Sequence, residues 1–312
     1  MKTHQGAQAF TLSKGTVITI GTFDGVHIGH KKIINRLVES ARVNAWESLV
    51  LTFFPHPRMV LQTDTQIKLI NTIDERALLL EKQELDHLVI HPFTKEFSRL
   101  TAAEFVEEIL VKKLKAKKVI IGYDHRFGRN RKADISDLKK YGAQFGFEVE
   151  EISKQELEDV AVSSTKIRKA LDVGDISLAN SYLGYPFVLS GTVVKGKSLG
   201  RKIGYPTANL DVSEDYKLIP AQGVYVVQCY INGECVYGMM NIGTNPTVGG
   251  DKQTVETYFF DFEGDLYGKN LSIQLLARIR EEKNFESIEQ LVGAMKKDES
   301  FCHSWIKENK LT

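Results

Sequence analysis

"TVITIGTFDGVHIGHKKII", residues 16–34, decides the fold. Its first five residues form a short apolar run rich in β-branched side chains, the pattern of a strand. Residues 30–43 carry a helical pattern. Between them, "GTFDGVHIGH" (21–30) packs three glycines, two histidines and an aspartate into ten residues. In an open parallel sheet, ligands bind beyond the carboxyl ends of the strands. Glycines there let backbone N–H groups approach an anion, and the helix N-terminus adds partial positive charge. His27 and His30 are three residues apart, so both rings can lie on the same side of the first helical turn. The stretch predicts a phosphate site with two imidazole donors, suited to a reaction in which negative charge builds on phosphate oxygens.

Working outward, "SLVLTF", "HLVIH", "KVIIG" and "FEVEEI" repeat the apolar strand pattern, with helical patterns at 30–43, 73–83, 102–114 and 134–145 between them. Such alternation predicts a parallel sheet with helices on both faces. Two short helices are expected near 164–171 and 176–183. After Pro186 strand patterns follow one another without long helices, at 187–194, 223–231, 234–242, 254–262 and 271–280. This predicts an antiparallel sheet or small closed barrel. A helical tail near 286–297 and 300–308 is expected to pack on it and cover a sheet edge. The expected boundary is Gly184-Tyr185-Pro186, giving domains 1–184 and 185–312.

The 312-residue length suits two domains. A formal net charge of +1 with 26% charged residues offers no bulk electrostatic case for nucleic acid or an anionic membrane. The basic run "VKKLKAKK" (111–118) reads as a solvated helix end. The first residues lack the apolar core of a signal peptide, and no run reaches the ~18 apolar residues of a membrane span. A cytoplasmic protein is expected. Of the three cysteines, Cys229 and Cys235 flank Asn232-Gly233, a strong hairpin signal. In that register Cys235 lies across from Tyr230 and Cys229 across from Val236, on opposite faces, so no disulfide is expected between them. No CxxC and no cysteine–histidine pair has zinc spacing.

Further motifs carry chemistry. In "SSTKIR" (163–168), the hydroxyls of Ser163, Ser164 and Thr165 and the guanidinium of Arg168 can bind a triphosphate. "GTVVKGKS" (191–198) fits the P-loop pattern, but Gly200, Gly204 and Pro206 follow where that motif needs a helix, and "TVV" reads as strand. A glycine-rich flap (Gly196, Gly200, Gly204) could instead close over nucleotide phosphates with its backbone amides.

The first motif, with "SSTKIR", resembles the HxGH nucleotidyltransferase superfamily, which transfers a nucleotide and releases pyrophosphate. No KMSKS is present, which sets the related synthetases aside. "GYPTANL" (204–210), "GVY" (223–225), "NIGTNPT" (241–247) and "VETYFFDF" (255–262) resemble the riboflavin kinase signature. Together with "FFPHP" (53–57) and "GYDHRFGRNR" (122–131), they make the chain similar to the bacterial bifunctional riboflavin kinase/FMN adenylyltransferase (FAD synthetase) family over nearly its whole length.

That resemblance implies a Rossmann-like N-terminal domain and a C-terminal kinase barrel. It implies ATP as co-substrate, Mg²⁺ in the kinase step, and riboflavin, FMN and FAD as substrates and products. It assigns catalysis to His27, His30 and Glu256, with Glu256 the base for the riboflavin 5′-hydroxyl. Nucleotide contacts fall to Gly21, Thr22, Phe23, Asp24, Gly29, Ser163, Ser164, Thr165 and Arg168 in one site. In the other they fall to Gly196, Lys197, Gly204, Thr207 and Asn209, with Thr207 and Asn209 also at the metal. Asp124, Phe127 and Arg280 are assigned to flavin. His125 stands where the family has an aromatic residue, and the basic residues Arg126, Arg129, Arg131 and Lys132 could hold the FMN phosphate or form a solvated loop. Two other readings remain open: another nucleotidyltransferase fused to an unrelated barrel, and a non-catalytic flavin-binding protein. The sequence gives no oligomeric state.

Overall fold

The structure is a computed structural model. It describes residues 1–11, 14–62, 67–153, 162–196, 200, 203–247 and 250–309, with side chains of 245–252 outside the description. The chain divides into two compact units, Met1–Ser164 and Thr165–Thr312.

The first unit is built on six parallel strands: β1 (Lys2–Gln5), β2 (Thr16–Ile20), β3 (Glu47–Phe54), β4 (His87–Pro92), β5 (Ala116–Gly122) and β6 (Glu148–Ile152). Their order is β1-β4-β3-β2-β5-β6. β2 is buried along its whole length, as expected for a strand with both faces covered. Ile18 and Ile20 point into one core with Leu49, Leu51, Phe105 and Leu110, while Val17 points into the other with Val50, Leu88 and Ile120. Helix α1 (Ile28–Val43) lays Ile34, Leu37, Val38 and Ala41 into that second core, the i, i+3, i+4, i+7 spacing of one helix face. Helices α2 (Pro57–Leu61), α3 (Ile73–Glu81) and α4 (Ala102–Glu104) follow, and α4 runs on into a π-helix (Phe105–Lys113). Helix α5 (Ile135–Phe145) precedes β6.

Strand β1 is a sixth member that the apolar pattern does not reveal. Its sequence is "KTHQ", mostly exposed, and it is held at the sheet edge by pairing Lys2–Gln5 with His87–Ile90.

The second unit is a closed antiparallel barrel, in the order β10-β11-β8-β7-β12-β9. The strands are β7 (Phe187–Val194), β8 (Ala208–Asp211), β9 (Gly223–Ile231), β10 (Glu234–Thr247), β11 (Gly250–Phe259) and β12 (Asn270–Arg280). The false P-loop begins as strand: Gly191–Val194 is the end of β7. The hairpin register is the expected one, Cys235 opposite Tyr230 and Cys229 opposite Val236, and all three cysteines are unbridged. The tail is one helix, α8 (Ile288–Glu308). A closed barrel has no edge to cover. The tail instead buries Cys302 and Ile306 against Val224, Val226, Met239 and Ala277 on the barrel's side.

Helices α6 (Ser164–Asp172) and α7 (Ile176–Leu183) belong almost wholly to this second unit. Asn180 Nδ2 donates to the Leu275 carbonyl, Ala221 N to the Leu171 carbonyl and Arg278 Nη1 to the Val173 carbonyl. The compact division therefore comes about twenty residues before the Gly184-Tyr185-Pro186 turn, because the two short helices share hydrogen bonds with the barrel.

Candidate active sites

Strands run outward from β2 in two directions. β3 and β4 lie on one side, and the chain then crosses to β5 on the other. The crevice between the carboxyl ends of β2 and β5 is the topological switch point, where ligands of open α/β sheets bind. The loops after β2 (21–27) and after β5 (123–128) flank it.

The first loop is tightly bent, with positive φ at Phe23 (48°), Gly25 (89°) and Val26 (34°). Gly21 makes room for Phe23, since a Cβ there would sit 3.0 Å from the Phe23 ring. Thr22 accepts from Thr52 Oγ1 through its backbone carbonyl. Asp24 is buried, and its carboxylate accepts from Ile70 N (3.0 Å) and Asn71 N (3.3 Å) and pairs with the fully buried Arg76 at 3.4 Å. Arg76 lies in the first turn of α3, whose start is fixed by a Thr72–Glu75 capping box. The side chains of Phe23 and Asp24 are thus used inside the protein, and what they present outward is backbone.

His27 is the N-cap of α1. Its Nδ1 accepts from His30 N at 3.3 Å, which places the ring proton of the neutral imidazole on Nε2. The two rings stack 3.6 Å apart at 18°. Gly29 admits this arrangement, for a Cβ there would lie 3.3 Å from the His27 ring. Burial pushes His27 down to about 4, with Asp24 partly opposing; His30 is held well below its ordinary value by burial, His27 and Arg76. Both rings are therefore neutral at pH 7. His30 Nδ1 is buried with no partner among the described residues.

Ser164 Oγ donates to the Asp24 carbonyl at 2.8 Å, so the start of "SSTKIR" touches the histidine loop. Ser163 is exposed. Thr165 and Arg168 fall in the second unit, Thr165 exposed and Arg168 half-buried.

On the loop after β5, Asp124 is exposed, whereas Phe127 is buried in the core against Phe105 and bridges Ala133. His125 lies over Phe127 and is pushed down to about 4 by burial and Arg131. Arg126, Arg129, Arg131 and Lys132 are exposed there, and Asn130 and Arg131 have positive φ.

In the barrel, the short strand β8 decides the second site. Asn209 pairs with Glu256 of β11 on one side and Val194 of β7 on the other. Thr207 Oγ1 donates to Glu256 Oε2 at 3.2 Å. Gly196 lies against Asn209: a Cβ there would fall 2.4 Å from its side-chain amide. Gly204 has φ +85° and turns the chain into Tyr205. Lys197 lies outside the described residues. Arg280 makes a two-pronged contact with the buried Asp298 of α8 (Nε 3.0 Å to Oδ1, Nη2 2.8 Å to Oδ2) and lies over Phe285. Two residues absent from the sequence reading thus matter here. Asp298 anchors Arg280, and Glu299 accepts from Tyr205 Oη at 2.8 Å. Burial and Glu299 push the Tyr205 phenol up to about 12.

A family model described as FAD synthetase matches residues 10–166, and one described as riboflavin kinase matches residues 183–306. The bifunctional riboflavin kinase/FMN adenylyltransferase of Listeria monocytogenes is 39% identical over 91% of this chain and 90% of its own length. The chain belongs to the bifunctional riboflavin kinase/FMN adenylyltransferase family. The member of the same name from Escherichia coli is 37% identical over 92% of this chain and 91% of its own. A crystal structure described as a macrolide-efflux protein from Streptococcus pneumoniae superposes with a TM-score of 0.88 at 33% identity, covering 97% of this chain and 99% of that one. Among the described residues of this family member, no helix is long and apolar enough to cross a membrane. The riboflavin kinase match over the barrel removes the reading of an unrelated barrel fused to a nucleotidyltransferase.

Proposed function

We propose that this bifunctional enzyme of FAD biosynthesis divides its two steps between the two sites described above. The Thr207–Glu256 hydrogen bond carries the reading for the barrel. Glu256 takes the proton of the riboflavin 5′-hydroxyl, using Oε1, which no hydrogen bond occupies among the described residues. The freed oxygen attacks the γ-phosphorus of ATP, the β–γ bridging P–O bond breaks, and FMN and ADP result.

The donor set fits Mg²⁺. Thr207 and Asn209 offer hard oxygen donors. Because the Thr207 hydroxyl hydrogen is taken by Glu256, its lone pairs are left to a cation. Among the described residues no cluster of three or more His, Cys, Asp or Glu could hold a metal alone, which suits an ion delivered on nucleotide phosphates. When bound, that ion would neutralise phosphate charge. Gly196, Lys197 and Gly204 keep the nucleotide contacts their motif implies, and Arg280, through Asp298, fixes the end of β12 beside the flavin.

In the first unit, an FMN phosphate oxygen attacks the α-phosphorus of a second ATP. A new P–O–P link forms, the α–β link breaks, and FAD and pyrophosphate leave. His27 Nε2–H and His30 donate hydrogen bonds to the phosphate oxygens as charge develops. Backbone of Gly21, Thr22, Phe23, Asp24 and Gly29 lines the approach, and Ser163 and Ser164 keep the triphosphate-binding role of their motif. Asp124 meets the flavin, and Phe127 supports that loop from the core. A cytoplasmic location completes the proposal. Incubation with riboflavin and MgATP, with riboflavin, FMN and FAD resolved by chromatography, tests it. Appearance of FMN and then FAD is expected. Flavin binding without turnover would make the protein a flavin carrier.

A further inference from the structure

The C-terminal helix α8 meets the chain two residues before Thr207. Tyr205 is buried, and its hydroxyl donates to Glu299 at 2.8 Å. The same ring packs edge-on against Tyr258 at 5.0 Å. Tyr258 is two residues beyond Glu256 on β11, so the two side chains share one face of that strand. Tyr205 and Thr207 therefore dock side by side on β11, Tyr205 at Tyr258 and Thr207 at Glu256.

The segment between is stiff. Ile203 N and Tyr205 N both donate to the Gly200 carbonyl (3.1 and 2.9 Å), Gly204 holds φ +85°, and Pro206 fixes its own φ. Ala208 is already paired with Thr257. A shift at Tyr205 is thus passed to Thr207 with one proline between them.

We infer that Glu299 is a positioning residue for phosphoryl transfer, holding Thr207 in register with Glu256 through the Tyr205 hydroxyl. This rests on the reading of Thr207 and Glu256 as the kinase site. Helix α8 has separate anchors: Asp298 on Arg280, and Cys302 and Ile306 in the apolar cluster under it. Loss of the Glu299 contact leaves the helix docked and releases only the loop.

The test uses the full-length protein and steady-state riboflavin phosphorylation, varying MgATP and riboflavin separately. Tyr205→Phe keeps the ring against Tyr258 and removes only the donor; Glu299→Ala removes the acceptor. Each should raise KM for MgATP about 5–10-fold, the range of a charge-assisted hydrogen bond partly compensated by water, with KM for riboflavin and the melting temperature unchanged. Glu299→Gln keeps an acceptor oxygen and should recover most of the loss. The double variant Tyr205→Phe/Glu299→Ala should be no worse than either single one. An unchanged KM for MgATP, equal losses on both substrates, or additive losses would overturn the inference. Thr207→Ala and Glu256→Gln are run alongside. If those two keep full kinase activity, the site assignment itself has failed, a result distinct from failure of Glu299 alone.

Discussion

Ser164 gives its hydroxyl hydrogen to the backbone carbonyl of Asp24 across 2.8 Å, joining residues 140 apart in the chain. Asp24 turns its carboxylate the other way, onto Ile70, Asn71 and Arg76. One aspartate thus fixes the loop after β2 from within while its backbone receives the second motif.

In the proposed mechanism His27 and His30 each donate to the reacting phosphate, and His27→Ala or His30→Ala removes one of these donors. Loss of one such donor costs roughly 10²–10³ in rate. FAD formation from FMN should fall by that factor while riboflavin phosphorylation is unchanged, as followed by chromatography. A variant making FAD at the parent rate would remove that histidine from the mechanism.

Asp24→Ala leaves the Arg76 guanidinium buried without its carboxylate. Breaking a buried pair from one side costs about 3–5 kcal/mol. Each unit carries one tryptophan, Trp46 in the first and Trp305 in the second. Urea unfolding followed by Trp46 fluorescence, in a Trp305→Phe background, should show that loss. A loss under about 1 kcal/mol would mean that the pair does not hold the loop.

His27 and His125 both sit at about 4 in the folded protein, against an ordinary 6.5. Between those values the unfolded chain binds protons that the folded chain refuses. Their contribution to stability is complete above pH 6.5 and is lost as pH falls toward 4. His125→Phe removes one titrating group and keeps a ring over Phe127. The drop in the Trp46-reported melting temperature from pH 7 to pH 5 should shrink in this variant. An undiminished drop would contradict the burial of His125.

A fragment beginning at Thr165 keeps α6 and α7 on the barrel and should fold and phosphorylate riboflavin without making FAD. One beginning at Gly184 loses the bonds from Asn180, Val173 and Leu171 and should melt at lower temperature. Circular dichroism of the two decides it: equal melting temperatures would mean the helices add nothing to the barrel.

Much of this was legible in the sequence where burial imposes a pattern. "TVITI" is apolar because both of its faces are covered, and Asn232-Gly233 set the register of Cys235 against Tyr230. Strands β1 and β8 escaped because both are four residues long, "KTHQ" with no apolar side chain and "ANLD" with too short an alternation to read, and both are held by pairing with neighbouring strands. Helices α6 and α7 show apolar periodicity, but periodicity does not say which core they serve. Asp298 sits in "KKDES", which reads as a solvated helix face; only the barrel's closure brings Arg280 to it. Arg76 had a local signal, the Thr72–Glu75 capping box, which fixes where α3 starts but not that Asp24 would meet it.

The central claim is that the two steps use separate residues on separate units, and complementation tests it most directly. Glu256→Gln should lose the kinase by roughly 10²–10⁴ and still convert supplied FMN to FAD. His27→Ala should make FMN and stop there. Neither variant alone should yield appreciable FAD from riboflavin and MgATP, whereas an equimolar mixture should, with FMN passing through solution. FAD no higher in the mixture than in the separate variants would contradict the division of labour.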